Sequence, residues 1–532
     1  MRQLFVTLLI GAATAGTAAW LQAQQPAFDV LIRNGRVMDG TGNPWIRADI
    51  GVAGGRIAAI GRLGRATAAS TIDAADRLVT PGFIDVHSHA GEGLSRPDLR
   101  QAQPIVVQGV TTVVINPDGG GPVDLDAQRV ELEKGGVGPN VALLVGHGSV
   151  RRAVVGNANR APTADELNKM RALVRRAMED GSFGLSSGLF YTPGSFAATE
   201  EVIALAQVAG ESGGLYTSHI RDEGNYGDGV VAAVQEVIRI AEEAKIVGIV
   251  SHMKALGPDN WGLSMASTMR MEEARARGVQ VFADQYPYEA SSTSLRAALL
   301  PGGIELPPAD RLTVPRESMT PEERKSRETL EATVRENIRR RGGAASLQIA
   351  SYGPDRSLEG KNVKQIADAR GVAPEVAAID LMTRAGVSIV SFNMSEADIR
   401  HIMTRPYTMT SSDGGLVPMG AGVPHPRNYG AFARRLSVYV RERHVTTLED
   451  AIRAMTSLPA MTFGMKDRGI LREGAAADIA IFDPDAVRDI ATYTNPHQLA
   501  TGMSWVLVNG TPILSEGKFT SALPGKVLKK AR

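Results

Sequence analysis

The spacing of apolar and polar positions divides the chain into three stretches. Short β-prone runs separated by glycine turns occupy 30–37 and 48–61, the pattern of a small antiparallel sheet. The same texture returns at 477–483 and 506–514, which predicts one β-domain assembled from both chain ends. Between them, apolar strand-like runs alternate with helix-like segments, as in parallel βα units. Eight such runs stand at 83–89, 111–116, 141–146, 184–187, 215–219, 248–252, 279–284 and 407–413. Eight units close into a (β/α)8 barrel, whose catalytic residues come from the C-terminal ends of its strands. The expected organisation is therefore α/β: a TIM-like barrel over 81–466, with a small composite β-sandwich from 28–80 and 467–532.

The connection between the seventh and eighth runs is too long for one βα unit. Within it, Thr320 and Pro321 ahead of Glu322 and Glu323 predict a helix start with a threonine cap and proline in the first turn. A helical insertion at about 295–345 is expected beside the active face, either as a lid or as a surface excursion.

The chain start departs from this scheme. Arg2 precedes an apolar core over 4–13 and small residues up to Ala23, the pattern of a secretory signal peptide over 1–23, cleaved after Ala19 or Ala23. Its apolar part is shorter than the roughly 20 residues a membrane span needs. Secretion or a periplasmic location is expected, yet the chain has no cysteine, so packing and bound metal rather than disulfides must hold the exported protein. A net charge of +1 without a long basic block argues against a nucleic-acid partner. At 532 residues, 43% of them hydrophobic, the chain can bury a large core. The expected partner is a small-molecule substrate, with no membrane association once the leader is removed.

The polar residues that end the apolar runs carry the chemistry. In Asp85-Val86-His87-Ser88-His89, strand alternation sends both imidazoles to one side. Thr217-Ser218-His219, Val250-Ser251-His252 and Thr410-Ser411-Ser412-Asp413 also end apolar runs. Four histidines and one aspartate at strand exits suggest a one- or two-metal hydrolytic site. His219 and His252, on adjacent strands, would hold one ion, and His87 and His89 would hold a second. Amide hydrolysis needs a nucleophile, a polarised carbonyl and a proton for the leaving amine; the metal meets the first two needs. Asp413 is assigned the third, as general base and then general acid.

Segments 81–89, 251–254, 284–291 and 425–430, with the closing stretch 524–528, resemble the N-acyl-D-amino-acid deacylases (D-aminoacylases) of the amidohydrolase superfamily over nearly the whole chain after the leader. The resemblance implies one or two Zn2+ ions, held by His219 and His252 with His87 and His89 at a second position, and Asp413 as catalytic acid/base. It also implies that Lys254, Tyr286, Ser291 and Arg427 grip the substrate's α-carboxylate; an arginine fork can bind such a group bidentately. One departure stands out. Many members carry a cysteine ligand after the second strand, whereas this chain has Asn116-Pro117-Asp118-Gly119-Gly120-Gly121, with Asp118 where that cysteine would sit. A carboxylate is also a zinc ligand and can bridge two ions, though it is harder than thiolate. His147, at the third strand's end, is expected at the substrate carbonyl or the metal water, or behind the ligands. The implied reaction is hydrolysis of N-acyl-D-amino acids, or of dipeptides with a C-terminal D-residue. The alternatives are a cyclic-amide hydrolase of the hydantoinase type and a catalytically inactive periplasmic binding barrel.

Overall fold

Strands covered on both faces appear in a sequence as continuous apolar runs, and the eight runs of the central stretch form the staves of a barrel. In a computed structural model describing residues 27–308, 311 and 315–531, they are β1 (Phe83–Asp85), β2 (Val110–Ile115), β3 (Asn140–Leu143), β4 (Gly184–Gly188), β5 (Leu215–His219), β6 (Val247–Val250), β7 (Val281–Gln285) and β8 (Thr408–Thr410). The leader-like segment 1–23 lies outside the described residues. β1, β2 and β3 pair in parallel, and β4 to β8 form a second parallel ladder. Val145–Gly146, just past β3, joins the two by pairing with β4. The ring closes on a parallel pair of two residues each, Ser88–His89 beside Gly414–Gly415. Among the described residues no helix is long and apolar enough to cross a membrane.

Helices pack outside the ring because each carries one apolar stripe. Ala164–Glu179 shows the pattern: Thr163 and Glu166 form a reciprocal cap at its start, and Met170, Val174, Ala177 and Met178 are buried.

The two chain ends meet in one nine-stranded sheet. Leu78–Pro81, which leads directly into β1, pairs antiparallel with Ile479–Phe482, joining the N-terminal strands to the C-terminal ones. The sheet folds on itself: Ile57 N donates to Ala475 O at 2.9 Å, around a core that includes Val30, Ile32, Ile50, Ile479 and Leu507. The end of the chain leaves this domain. Residues 526–528 run beside the start of β3, where Val141 N donates to Lys526 O and Leu528 N to Val141 O, so the β-domain does not extend to 532 as expected.

The insertion is also longer than 295–345, and it is not only helical. Ala290–Ser294, Val387–Phe392 and Leu347–Tyr352 form an antiparallel three-stranded sheet, covered by helices that include Leu295–Leu299 and Pro321–Arg340. It has its own core of Leu295, Leu299, Val334, Ile349, Leu381 and Ile389. The helix Pro321–Arg340 starts on a Thr320 cap with Pro321 in its first turn.

Candidate metal centre

The ligand-type residues stand where the strands end, held there by buried carboxylates that accept backbone hydrogens. Asp85 accepts from Ser412 N at 2.9 Å and from the Ser412 hydroxyl, while Asp413 N donates to His87 O at 2.9 Å. The first and eighth strand ends are thus tied together. Asp284, at the end of β7, accepts from His252 N at 2.9 Å and from the Ser411 hydroxyl at 2.6 Å. Asp118, His252 and Asp413 all have left-handed backbone, with φ of 55°, 36° and 48°. Such conformations cost free energy in residues with a Cβ and persist where surrounding structure fixes them. The turn carrying Asp118 continues through Gly119, φ 71°, where a Cβ would lie 2.9 Å from Gly188 N; only glycine fits.

Asp118 is the centre of the cluster. Its carboxylate oxygens lie 3.4 Å from His87 Nε2, 3.4 Å from His89 Nε2, 3.5 Å from His252 Nε2 and 3.9 Å from His219 Nδ1. Asp413 Oδ1 lies 3.2 Å from His89 Nε2 and 3.6 Å from His87 Nε2, and His219 Nδ1 is 2.9 Å from His252 Nε2. Ligands about 2.1 Å from a tetrahedral zinc are about 3.4 Å from one another. The donor set therefore has the spacing a metal requires. Moreover, His87 Nε2 and Asp118 Oδ1 are buried without a hydrogen-bond partner among the described residues, an expensive arrangement that an ion would relieve.

A residue absent from the sequence reading backs this cluster. Glu223 Oε1 lies 3.0 Å from His252 Nδ1 and Oε2 lies 3.9 Å from His219 Nε2, the ring nitrogens turned away from Asp118. A carboxylate behind a ligating histidine fixes its tautomer and orientation. The only sequence signal was its place in the Thr-Ser-His loop, four residues after His219. Lys254 pairs with Glu223 and lies 2.8 Å from His252 Nδ1, which fixes its ammonium at the cavity wall.

The remaining predicted residues divide. Arg427 Nη1 lies 2.8 Å from Asp413 Oδ2, and its guanidinium lies 4.6 Å from the Tyr286 ring, which is 5.6 Å from Lys254 Nζ. Tyr286, Ser291, Lys254 and Arg427 all line a cavity of about 870 Å³ that contains Asp118, His219 and Asp413. His147 does not reach it, contrary to expectation. It begins the helix His147–Val154, is fully buried, and sets Nε2 2.9 Å from Glu201, a carboxylate also paired with Arg151. Helix geometry turns it outward from the barrel axis.

Charge in the cluster follows from its geometry. Burial opposes ionisation of Asp118 and Asp413, yet both stay well below the usual carboxylate range, Asp118 through its histidines and Asp413 chiefly through Arg427. Burial pushes His219 down to about 4. Desolvation opposes a charge on His89, yet this ring, on the exposed side of the cluster, is raised to about 9 by hydrogen bonds to Asp118 and Asp413. Metal and proton therefore compete at His89, whereas His219 is neutral near pH 7 and free to ligate.

Residues 70–514 match the Amidohydrolase family. The chain is 34% identical to a D-aminoacylase of Alcaligenes xylosoxydans xylosoxydans over 96% of this chain and 99% of the relative. It is 36% identical to an N-acyl-D-glutamate deacylase of the same organism over 95% and 97%. Among solved structures, the N-acyl-D-glutamate deacylase of Bordetella bronchiseptica, complexed with zinc and a phosphonate inhibitor, superposes with a TM-score of 0.79 at 36% identity, over 94% of this chain and 99% of that one. A D-hydantoinase, at 16% identity and a TM-score of 0.59 over 95% of this chain and all of its own, shares the fold alone.

Proposed function

The chain belongs to the amidohydrolase family, and from that premise we infer that it is a metal-dependent deacylase that hydrolyses the amide of N-acyl-D-amino acids to release the free D-amino acid. The observation that carries the reading is the Asp118 carboxylate within 3.4–3.9 Å of four histidines, with Asp413 facing the same space. In this reading Asp118 shares one ligand cluster with His87, His252 and Asp413, His89 lies beside it, and His219 stands against His252. They would hold one or two zinc ions. A bound divalent ion supplies Lewis-acid polarisation of the carbonyl and acidifies a water to a pKa of about 7. Asp413 takes the proton of the attacking water and returns it to the leaving nitrogen, while Arg427 fixes its second oxygen. Arg427, with Tyr286, Ser291 and Lys254 on the same wall, receives the substrate's α-carboxylate.

The test is turnover of N-acetyl-D- and N-acetyl-L-amino acids, with hydantoins as controls, before and after chelation. Hydrolysis of the D-series, abolished by chelator and restored by zinc, is expected; turnover confined to hydantoins or L-substrates overturns the reading. Asp413→Asn should lower the rate by about 10²–10⁴-fold while an ion remains at His219 and His252. The leader-like segment 1–23 supports export to the periplasm. N-terminal sequencing of the protein from a periplasmic fraction, with a start after residue 19 or 23, is the check.

A further inference from the structure

Three consecutive arginines close the long helix of the insertion, and they are treated differently. Arg339 pairs with Asp259 and Glu336, and Arg340 pairs with Glu336. Arg341 is only 2% exposed, and no carboxylate among the described residues lies within ion-pair distance of it. Its Nε donates to the Tyr226 hydroxyl at 2.6 Å; its Nη1 is buried with no hydrogen-bond partner among the described residues. Lys254, Arg427 and Arg151 have counter-charges in Glu223, Asp413 and Glu201; Arg129 and Arg435 are buried without one among the described residues, but neither lines the cavity. A guanidinium stays charged at any physiological pH, so burying one unpaired is costly unless an anion arrives.

An anion in the cavity can reach this guanidinium, because Arg341 lines that cavity. The surroundings say which part of a substrate would bring it. Arg341 shares its wall with the segment after Lys254: Leu256 lines the same cavity, and the carbonyl of the preceding Arg340 lies 2.2 Å from where a Cβ on Gly257 would stand. Lys254 in turn faces the Tyr286 ring that Arg427 overlies. Arg341 is therefore on the side assigned to the amino-acid half of the substrate. Elsewhere the lining includes Glu92 and Glu131, which have no ion-pair partner among the described residues and repel an anion.

We propose that Arg341 forms a subsite for a second carboxylate, borne by the side chain of the D-amino acid, so that the substrates are N-acylated acidic D-residues rather than apolar ones. The planar fork of arginine matches a carboxylate and discriminates it from an amide of the same shape. This rests on the deacylase reading.

The experiment measures kcat/KM of the zinc-loaded full chain on N-acetyl-D-glutamate, N-acetyl-D-glutamine, N-acetyl-D-leucine and N-succinyl-D-leucine. The wild type should favour glutamate over glutamine by roughly tenfold or more. Arg341→Met should remove that preference, mainly through KM on glutamate, and leave glutamine within about twofold, with zinc content unchanged. Arg341→Lys should restore part of the preference, and the wild-type ratio decides the matter even if Arg341→Met fails to fold. A wild-type ratio near one, or equal loss on glutamate and glutamine in Arg341→Met, overturns the subsite. Loss confined to the succinyl substrate overturns its location, since the carboxylate then lies on the acyl side. Turnover of none of the four overturns the deacylase reading itself, an outcome distinct from turnover without charge preference.

Discussion

At Asp118 a single carboxylate stands among four imidazoles, so its removal takes a donor from whichever ion is bound. Asp118→Ala should reduce zinc to well below one equivalent by elemental analysis, whereas a mere turn residue would leave the stoichiometry intact. Asp118→Cys should retain zinc, because thiolate is the softer ligand. Glu223 acts one layer back: Glu223→Gln should weaken zinc binding by roughly 10–100-fold in a competition titration with a fluorescent chelator, without unfolding the protein. The two residues differ in how far the sequence revealed them. The His87 and His89 pair, His219, His252 and Asp413 are legible because each ends an apolar run, where a barrel places its chemistry. Asp118 was legible only by resemblance, and Glu223 not at all, since nothing in spacing says that a carboxylate four residues past His219 will fold back behind two rings. His147 misled for the opposite reason: it also ends an apolar run, but a helix begins at that residue and swings the side chain away.

Among the elements, the barrel strands were readable because both faces are buried, and a run such as Val110–Ile115 is apolar or threonine throughout with every residue buried. The insertion strands were not. Ala290–Ser294 is nearly all hydroxyl residues, and its partner Val387–Phe392 lies almost a hundred positions away, so neither composition nor turn signals announced the sheet. His425 bridges this sheet to the Arg427 helix. Its Nε2 donates to Ala290 O at 2.9 Å and its Nδ1 accepts from Arg427 N at 2.9 Å, which requires the neutral ring. Burial, and then the charge of Arg427, hold its pKa well below the imidazole value. The unfolded chain binds a proton there below about pH 6.5 and the folded one does not. The contribution of His425 is therefore complete above that pH and lost as pH falls, by up to about 1.4 kcal/mol per unit. Denaturant unfolding of the holoenzyme between pH 5 and 8 should show a slope shallower by about one proton in His425→Gln; identical slopes would remove this role.

Across the whole molecule, the β-domain and barrel are joined by buried polar groups from distant parts of the chain. Asp478 accepts from Arg468, from Asn140 Nδ2 at 3.1 Å and from Asn509 N at 2.7 Å, tying the start of β3 to the sheet formed by both chain ends. Asp478→Ala leaves Arg468 with Asp467 at 3.9 Å as its carboxylate and removes the acceptor of Asn140 and Asn509, and should cost roughly 1–3 kcal/mol of stability, read as a lower midpoint in urea, with kcat per folded molecule preserved because the cavity lies at the opposite strand ends. The composite character of this domain was visible in the sequence as one texture at two places; the return of residues 526–528 to the barrel was not, because so short a stretch has no period. The two-residue seam at Ser88–His89 and Gly414–Gly415 has one more consequence. It is flanked by His87 and Asp413, so the donor set straddles the place where the barrel becomes a ring. A chain emerging from its N-terminus holds His87, His89, Asp118, His219 and His252 long before Asp413 exists, and the full donor set is complete only when the last stave is laid. Capture of the ion is thus a clock for ring closure: in refolding, a zinc-sensitive dye should report metal uptake no sooner than the slowest burial of the eighth strand, and truncation before residue 407 should leave a polypeptide unable to retain metal at all.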